Sequence, residues 1–349
     1  MLDIEMSAGS GCYGHCRLRS RFALLHRLTD DAFGQAFRAG VLYRQGFGDR
    51  ALLERLVASV GAYVRTQPLG EVRMTWSGRT RSVLGADVRV GSFVSPAPTP
   101  LPTESRTAPV ELWLPKHGAR GAMCLVLAAS GEEGFLRRRV FVRRLLEAGI
   151  GALLLENPFY GLRRPAGQHG PALRTVADQF AMNTATVDEA RALLGWIRDE
   201  GYFPGVTGFS QGGFMAAFAA ALVDFPVVAV PRGVGTSAVP VFTNSALSHG
   251  VRWKTLAAES GSEAQARADL ARYLAVVDLT QHPPPVVPQL ATILVARHDR
   301  FVPPEDGEAL HRHWAGSHLE WSEAGHVTSL LMDGKDHARA IVEAFDRRW

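Results

Sequence analysis

The segment GVTGFSQGGFMAAFAAAL, residues 205–222, constrains the fold more than any other part of the chain. A short apolar run leads into Ser210, which lies between Gly208 and Gly212, and an alanine-rich run follows. Where a strand turns sharply into a helix, side chains flanking the central residue would collide with the bending backbone, so glycine is required there. The pattern therefore predicts a strand, a tight turn that exposes Ser210 above a sheet, and a helix.

Apolar runs continue on both sides of this turn. From residue 121 onward the runs GAMCLVLAAS, GIGALLLEN, VVAVPRG and ATILVARHD alternate with helix-like segments, which is typical of buried parallel strands. Residues 71–116 carry shorter β-rich runs separated by glycine, serine and proline, and these predict antiparallel strands at the start of the sheet. We predict an α/β fold with a mostly parallel sheet and antiparallel opening strands.

Two segments fall outside this alternation. Residues 30–66 have apolar residues at helical spacing, interrupted by GFGD, so we expect an N-terminal helical extension over residues 1–70. In residues 234–288, helical patterns mix with polar residues. This predicts a small helical cap inserted into a domain that spans residues 71–349.

The composition argues against several classes of protein. The chain has 349 residues, 46% of them hydrophobic, and a formal net charge of +4, which is far from the basic stripe that nucleic-acid binding needs. Three cysteines cannot build a disulfide framework, and we see neither a secretory N-terminus nor a membrane-spanning apolar run, so we expect a cytoplasmic protein. The N-terminal CYGHC has metal-ligand residue types but no second cluster with zinc spacing, and we predict neither a metal nor a cofactor.

A serine in a G-x-S-x-G turn needs a base to become a nucleophile, and in chains with this motif the acid and the histidine follow the serine in that order. Asp299 follows the apolar run ATILVA directly, which places it at the carboxyl end of a strand. His326 comes where a later β-like run ends in a glycine turn before a helix. We therefore predict a catalytic triad of Ser210, His326 and Asp299, with Asp278 in VVDLT as a rival acid.

Such a reaction needs backbone donors for the developing oxyanion. The first is expected to be the N–H of Gln211, directly after the serine, and the second to come from the loop AASGEEGF. Gly131 and Glu132 are the candidates there, and the pattern does not choose among the residues from Gly131 to Gly134.

Three residues are candidates for substrate contacts: Glu156, Phe209 and Phe135. Glu156 ends a predicted parallel strand, where folds of this kind bind ligands, and a bond to neighbouring loops is the equal alternative. FLRRRVFVRRLLEAG also places several arginines on one predicted helix, namely Arg137, Arg138, Arg139, Arg143 and Arg144. They could meet a phosphate-bearing substrate or an anionic membrane, but a solvated helix face is the simpler interpretation, so membrane contact is left open.

Several segments together resemble the α/β-hydrolases, and more narrowly the family of α/β-hydrolase domain-containing protein 18: FRAGVLYRQGFGD, LAASGEEGFLRRR, LENPFYGLRRP, TGFSQGG, ARHDRFVP and AGHVTSLL. The resemblance implies an α/β-hydrolase fold and a serine hydrolase that cleaves an acyl ester of a small molecule or a lipid. It assigns the three catalytic roles to Ser210, Asp299 and His326. An acyltransferase with the same triad and a non-catalytic binding protein with the same fold are the alternatives. The oligomeric state is not indicated.

Overall fold

The computed structural model describes residues 11–36, 41–83 and 85–348, with only the backbone described for residues 11–22 and Ala36. Within these ranges the strands are β1 (Thr75–Val83), β2 (Ala86–Val94), β3 (Thr107–Pro115), β4 (Ala122–Leu127), β5 (Gly151–Leu155), β6 (Phe203–Phe209), β7 (Val228–Arg232), β8 (Thr292–Ala296) and β9 (His318–Ser322). They form one sheet in the order β1-β2-β3-β5-β4-β6-β7-β8-β9. The first three strands are antiparallel and β4 to β9 are parallel, so the prediction of an α/β fold with antiparallel opening strands is confirmed.

Helices cover both faces of this sheet. Over the same described ranges they are α1 (Gly11–Ala36), α2 (Arg50–Gly61), α3 (Leu136–Glu147), α4 (Val176–Asp199), α5 (Gln211–Ala221), α6 (Val239–Thr243), α7 (Trp253–Ser260), α8 (Glu263–Leu274), α9 (Pro304–His313), α10 (His326–Met332) and α11 (Gly334–Asp346). None of the helices in the described part of the chain has both the length and the apolar character needed to cross a bilayer.

The parallel strands β4 to β8 contribute to two apolar cores. In β4, Met123, Leu125 and Leu127 pack in the core that contains α4 and α5, whereas Cys124 and Val126 pack in the core that contains α3 and α11. Successive side chains of a strand point to opposite faces, so a strand covered on both sides must be apolar throughout. This explains why these strands read as unbroken apolar runs.

A third core joins the start of the chain to the segment between β7 and β8. Tyr43 and Phe47 pack there with Leu256 of α7 and with Leu270 and Tyr273 of α8. The rings of Phe47 and Tyr273 lie 5.9 Å apart, a tilted arrangement favourable for aromatic pairs. The division into an extension over residues 1–70 and a domain with a cap over residues 234–288 stays a prediction. These contacts show that the two helical segments share one core.

Candidate active site

Ser210 lies in the turn between β6 and α5, in a backbone conformation that residues other than glycine rarely adopt, with φ 53° and ψ −119°. Its N–H donates to the carbonyl of Arg232 at 2.9 Å. A Cβ on Gly208 would lie 2.3 Å from the backbone of Gly212, and one on Gly212 would lie 2.5 Å from the carbonyl oxygen of Ala128. The close approach of these backbones accounts for both glycines and leaves the serine half-buried at the carboxyl edge of the sheet.

Asp299 and His326 lie on the loops that follow β8 and β9, and the structure brings them together. The Nδ1 atom of His326 is 2.6 Å from Oδ2 of Asp299, and both side chains are buried. The other carboxylate oxygen accepts the N–H groups of Phe301 and Val302, each at 2.8 Å. A carboxylate fixed in this way orients the imidazole and leaves Nε2 as the nitrogen that can accept a proton from another group.

The imidazole of His326 lies between two aromatic rings. Phe301 stacks on it at a centroid distance of 5.0 Å, and Phe209 contacts it at 4.9 Å in a tilted arrangement. Phe209 directly precedes Ser210 and is buried, so the histidine packs against the turn that carries the serine. The structure thus gives Phe209 a contact with the histidine, whereas the sequence suggested a contact with substrate.

Burial lowers the pKa of the His326 imidazole, but the charge and hydrogen bond of Asp299 and the charge of Asp30 outweigh this effect. The pKa of His326 therefore lies above its usual value of 6.5. The carboxylate of the rival acid Asp278 accepts the N–H of Thr280 at 2.9 Å, whereas that of Asp299 is bonded to His326. Asp299 is the carboxylate that faces the histidine.

Asp30, on helix α1, holds the backbone of both loops, a role that no sequence motif indicated. Its Oδ2 atom accepts the N–H of His326 at 2.7 Å and that of Arg300 at 3.0 Å, and its Oδ1 atom accepts the N–H of Val327 at 2.9 Å. The side chain is fully buried. Burial raises the pKa of the Asp30 carboxyl, and these hydrogen bonds oppose the rise. Asp30 thus caps the start of α10 and ties it to the loop that carries Asp299.

We expect Asp30→Ala to lower kcat/KM for a soluble ester by about 10- to 100-fold, because the loops of Asp299 and His326 lose their common anchor and small displacements of catalytic groups are costly. Steady-state kinetics on protein shown to be folded by circular dichroism would measure this. Asp31→Ala is the matched control, since Asp31 is the next residue of α1 and pairs with Arg300 at the surface. Equal activities in the two variants would contradict the anchoring role.

A narrow cavity of about 70 Å³ opens at Ser210. Phe180, Phe214 and Phe242 contribute to its apolar wall, and Ser130 and Tyr160 are among its polar members. The cavity draws its lining from the turn after β4, from helices α4 and α5, and from α6 between β7 and β8. An apolar pocket with a few polar groups at one end is the usual form of a small-molecule site.

The loop after β4 was predicted to supply the second oxyanion donor, and in the structure the N–H groups of both candidate residues already have partners. The N–H of Glu132 donates to the carbonyl of Ala129 at 3.1 Å, so it is not free to meet an oxyanion. The hydroxyl of Tyr160 instead hydrogen-bonds the side chain of Ser130 and the backbone of Gly131. Gln211 begins α5, and the first amides of a helix have no partner within the helix. Ser130 and Tyr160 were missed because their partners lie far from them in the chain.

Glu156 and Phe135, which the sequence suggested as substrate contacts, do not line the cavity. The buried carboxylate of Glu156 accepts the N–H of Gly134 at 2.7 Å and that of Leu162 at 3.3 Å. Phe135 precedes α3, where its ring lies 5.3 Å from the guanidinium carbon of Arg138. Glu156 therefore bonds neighbouring loops, which was the other interpretation of its position.

The family profile described as "Alpha/beta hydrolase domain containing 18" matches residues 41–277 and 259–347. The chain belongs to this family. The matched residues include Ser210, Asp299 and His326, which confirms the resemblance inferred from the sequence segments. Asp30 lies ahead of the first residue that matches the alpha/beta hydrolase domain containing 18 profile.

Solved structures with the same fold include three esterases of low sequence identity. An acetyl xylan esterase from Paenibacillus sp. R4 has a TM-score of 0.58 and 15% identity, covering 89% of this chain and 98% of that one. Acetyl xylan esterase 1 from Thermoanaerobacterium sp. JW/SL YS485 has a TM-score of 0.54 and 14% identity, with the same coverage of 89% and 98%. An esterase from Pyrococcus furiosus has a TM-score of 0.51 and 16% identity, covering 80% and 97%. At such identities the similarity establishes the α/β-hydrolase fold of this family member and nothing about its substrate.

Proposed function

We propose that the protein hydrolyses a carboxylic ester through Ser210, with His326 as the general base and Asp299 as the acid that orients it. The hydrogen bond of 2.6 Å between His326 and Asp299, buried beside a strained serine turn, is the observation that carries this proposal. A carboxylate placed on Nδ1 fixes the tautomer in which Nε2 accepts the serine proton and stabilises the cation that follows.

The reaction proceeds in two halves. His326 Nε2 takes the proton of the Ser210 hydroxyl as Oγ attacks the acyl carbon, and the alcohol leaves with that proton from the imidazolium. Water then attacks the acyl carbon with His326 again as base, and the imidazolium returns this proton to Oγ as the bond between Ser210 and the acyl group breaks and the carboxylic acid leaves. Each half returns the imidazole to its neutral form, so no cofactor is needed for the proton balance.

The oxyanion donors in this proposal are the N–H of Gln211 and, from the turn after β4, the N–H of Ser130, because the N–H of Gly131 already donates to the Tyr160 hydroxyl. The Gln211 amide starts α5, where the helix dipole also favours negative charge. Tyr160 holds the turn through its hydroxyl, and burial raises the pKa of that hydroxyl so that it stays protonated. The turn and Ser210 line the same cavity, which supports the placement.

The lining of the cavity supports an acyl ester as the substrate class. Its wall beside Ser210 is mainly apolar, which suits the acyl chain of a small-molecule or lipid ester. The three solved neighbours are esterases, which agrees with an ester substrate but describes only those proteins.

Labelling with a fluorophosphonate probe tests the proposal. We expect the purified protein to label at Ser210, and labelling to be lost in Ser210→Ala and strongly slowed in His326→Ala. Ser82→Ala, at an exposed position of β1, is the matched control and should label like the wild type. A folded wild-type protein that does not label, and turns over neither short- nor long-chain p-nitrophenyl esters, would refute the proposal.

The pH dependence of hydrolysis is expected to reflect the raised pKa of His326. His326 can act as a base only when its imidazole is neutral, so kcat/KM should rise with pH through this pKa. The midpoint of that rise should lie above pH 6.5. In Asp30→Asn the midpoint should move to lower pH, because one of the two carboxylates that favour the imidazolium is removed. A profile measured from pH about 5 to 9 on a substrate without ionisable groups would show both effects. An unchanged midpoint in Asp30→Asn would mean that Asp30 is uncharged in the folded protein.

A further inference from the structure

Four large apolar side chains on two neighbouring helices are left in solvent. Leu136 and Val140 of α3 are 72% and 77% exposed, and Leu331 and Met332 of α10 are 64% and 73% exposed. Single exposed apolar residues are common on soluble proteins, but a group of this size marks a surface that meets another apolar phase. We call these four residues, with the cations described below, the α3–α10 patch.

Two shallow depressions show that the patch is continuous. One, of about 380 Å³, is bordered by Val140, Leu331 and Met332. The other, of about 460 Å³, is bordered by Val140 and Leu136. Val140 belongs to both, so the apolar residues of α3 and α10 form one surface.

Three cations surround this surface: Arg137 and Arg144 of α3, and Lys335 at the start of α11. All three are exposed, and none forms an ion pair or side-chain hydrogen bond with any residue that the structure describes.

The remaining arginines of α3 are already paired. The ion pairs are those of Arg138 with Glu132, Arg139 with Glu111 and Arg143 with Glu147, and the first of them is buried. These ion pairs also neutralise the acids close to the patch. Four further acids, Glu320, Glu323, Asp333 and Asp336, line a separate depression that also reaches Met332 at the edge of the patch.

We propose that the α3–α10 patch docks on an anionic phospholipid surface. The aliphatic side chains enter the boundary between headgroups and acyl chains, while Arg137, Arg144 and Lys335 meet the lipid phosphates. A protein partner fits less well, because none of the four exposed apolar residues is aromatic and the centres of protein interfaces are rich in aromatic side chains.

The patch lies close to the candidate active site. Helix α10 begins with His326, and α3 follows the loop that carries Ser130 and Gly131. The depression bordered by Val140, Leu331 and Met332 also reaches Phe209, which contacts His326. Docking is nevertheless independent of the proposed function, since it can be measured on the Ser210→Ala variant.

Vesicle co-sedimentation of the full chain tests the inference. We expect binding to vesicles that contain phosphatidylglycerol, little binding to vesicles of phosphatidylcholine alone, and weaker binding as salt is raised. The triple variant Arg137→Glu, Arg144→Glu, Lys335→Glu should lower the partition coefficient by at least about 100-fold, since each basic residue near an anionic surface contributes about fivefold and charge reversal adds repulsion. A second variant, Val140→Ser with Leu331→Ser, should weaken binding while the charges remain.

The matched control carries the same change of charge elsewhere: Arg55→Glu, Arg79→Glu, Lys254→Glu, all at exposed positions outside the patch. Hydrolysis of a soluble ester and circular dichroism report whether each variant is folded. The inference is overturned if the wild type binds no vesicles, if it binds neutral and anionic vesicles alike, or if the control loses as much binding as the patch variant. Self-association that the patch variants abolish, without vesicle binding, would make the patch an interface between copies and would also overturn it.

Discussion

Replacing Ser210 with alanine is expected to lower kcat for ester hydrolysis by about 10⁴-fold or more, because the nucleophile is lost and only residual stabilisation by the oxyanion donors remains. The fold should survive, since the backbone N–H of residue 210 still donates to the carbonyl of Arg232. Replacing His326 with alanine should be comparably severe, and the double variant should cost little more than either single change, since the two residues act as one unit.

Ser210→Gly, compared with Ser210→Ala, distinguishes the loss of the serine hydroxyl from the strain in the backbone of the turn. Serine at φ 53° and ψ −119° occupies a region that suits glycine, so the glycine variant should be inactive but more stable than the alanine variant by about 1 kcal/mol or more. Urea unfolding of both variants measures this difference in the free energy of unfolding, provided that the two variants have the same dependence of that free energy on urea concentration. Equal stabilities would show that the turn is not strained, and hydrolysis that persists in both variants would show that another residue is the nucleophile.

The second large effect concerns stability and the segment ENPFYGLRRP. Arg163 and Glu189 form a fully buried ion pair, with Nη1 and Nη2 donating to the two carboxylate oxygens at 2.8 and 2.5 Å. The same guanidinium donates to the carbonyls of Ser105, at 2.6 and 3.0 Å, and of Glu156, at 2.8 Å. These bonds join the loop that carries Tyr160 to helix α4.

Arg163→Met is therefore expected to destabilise the protein by about 3–5 kcal/mol, because it leaves the carboxylate of Glu189 buried without a partner. Arg163→Lys should recover only part of this, since an ammonium cannot match the planar, bidentate geometry. Chemical unfolding of Arg163→Met, Glu189→Met and the double variant forms a double-mutant cycle. We expect the double variant to be more stable than Arg163→Met. Additive losses would show that the pair is not coupled.

Local patterns were sufficient for the fold and for the candidate catalytic residues. The glycines around Ser210 are required by the backbone of a turn only five residues long, so they can be recognised locally. Asp299 and His326 each come after a strand whose end is visible in the sequence. Because the ends of parallel strands meet at one edge of a sheet, residues there are brought close together without further information. Their catalytic roles stay predictions until they are tested.

The residues that the sequence did not indicate depend on contacts between distant parts of the chain. Arg163 is buried, with its guanidinium bonded to Glu189 and to two backbone carbonyls. Glu132 was a candidate oxyanion donor, but a local turn to Ala129 uses its N–H. Neither hydrophobic period nor motif spacing contains such information, since hydrogen-bond partners are selected only when the elements pack.

The anchoring of the site by Asp30 has a consequence for the order of folding. Its three partners lie 270, 296 and 297 residues further along the chain. Contacts of such sequence separation form slowly, and a chain that is still being synthesised holds Asp30 long before Arg300 and His326 exist. A newly made molecule therefore becomes catalytically competent only after its last strands and α10 have emerged, even if the sheet around Ser210 has folded earlier. The activity of a refolding sample should accordingly lag behind its far-ultraviolet circular dichroism.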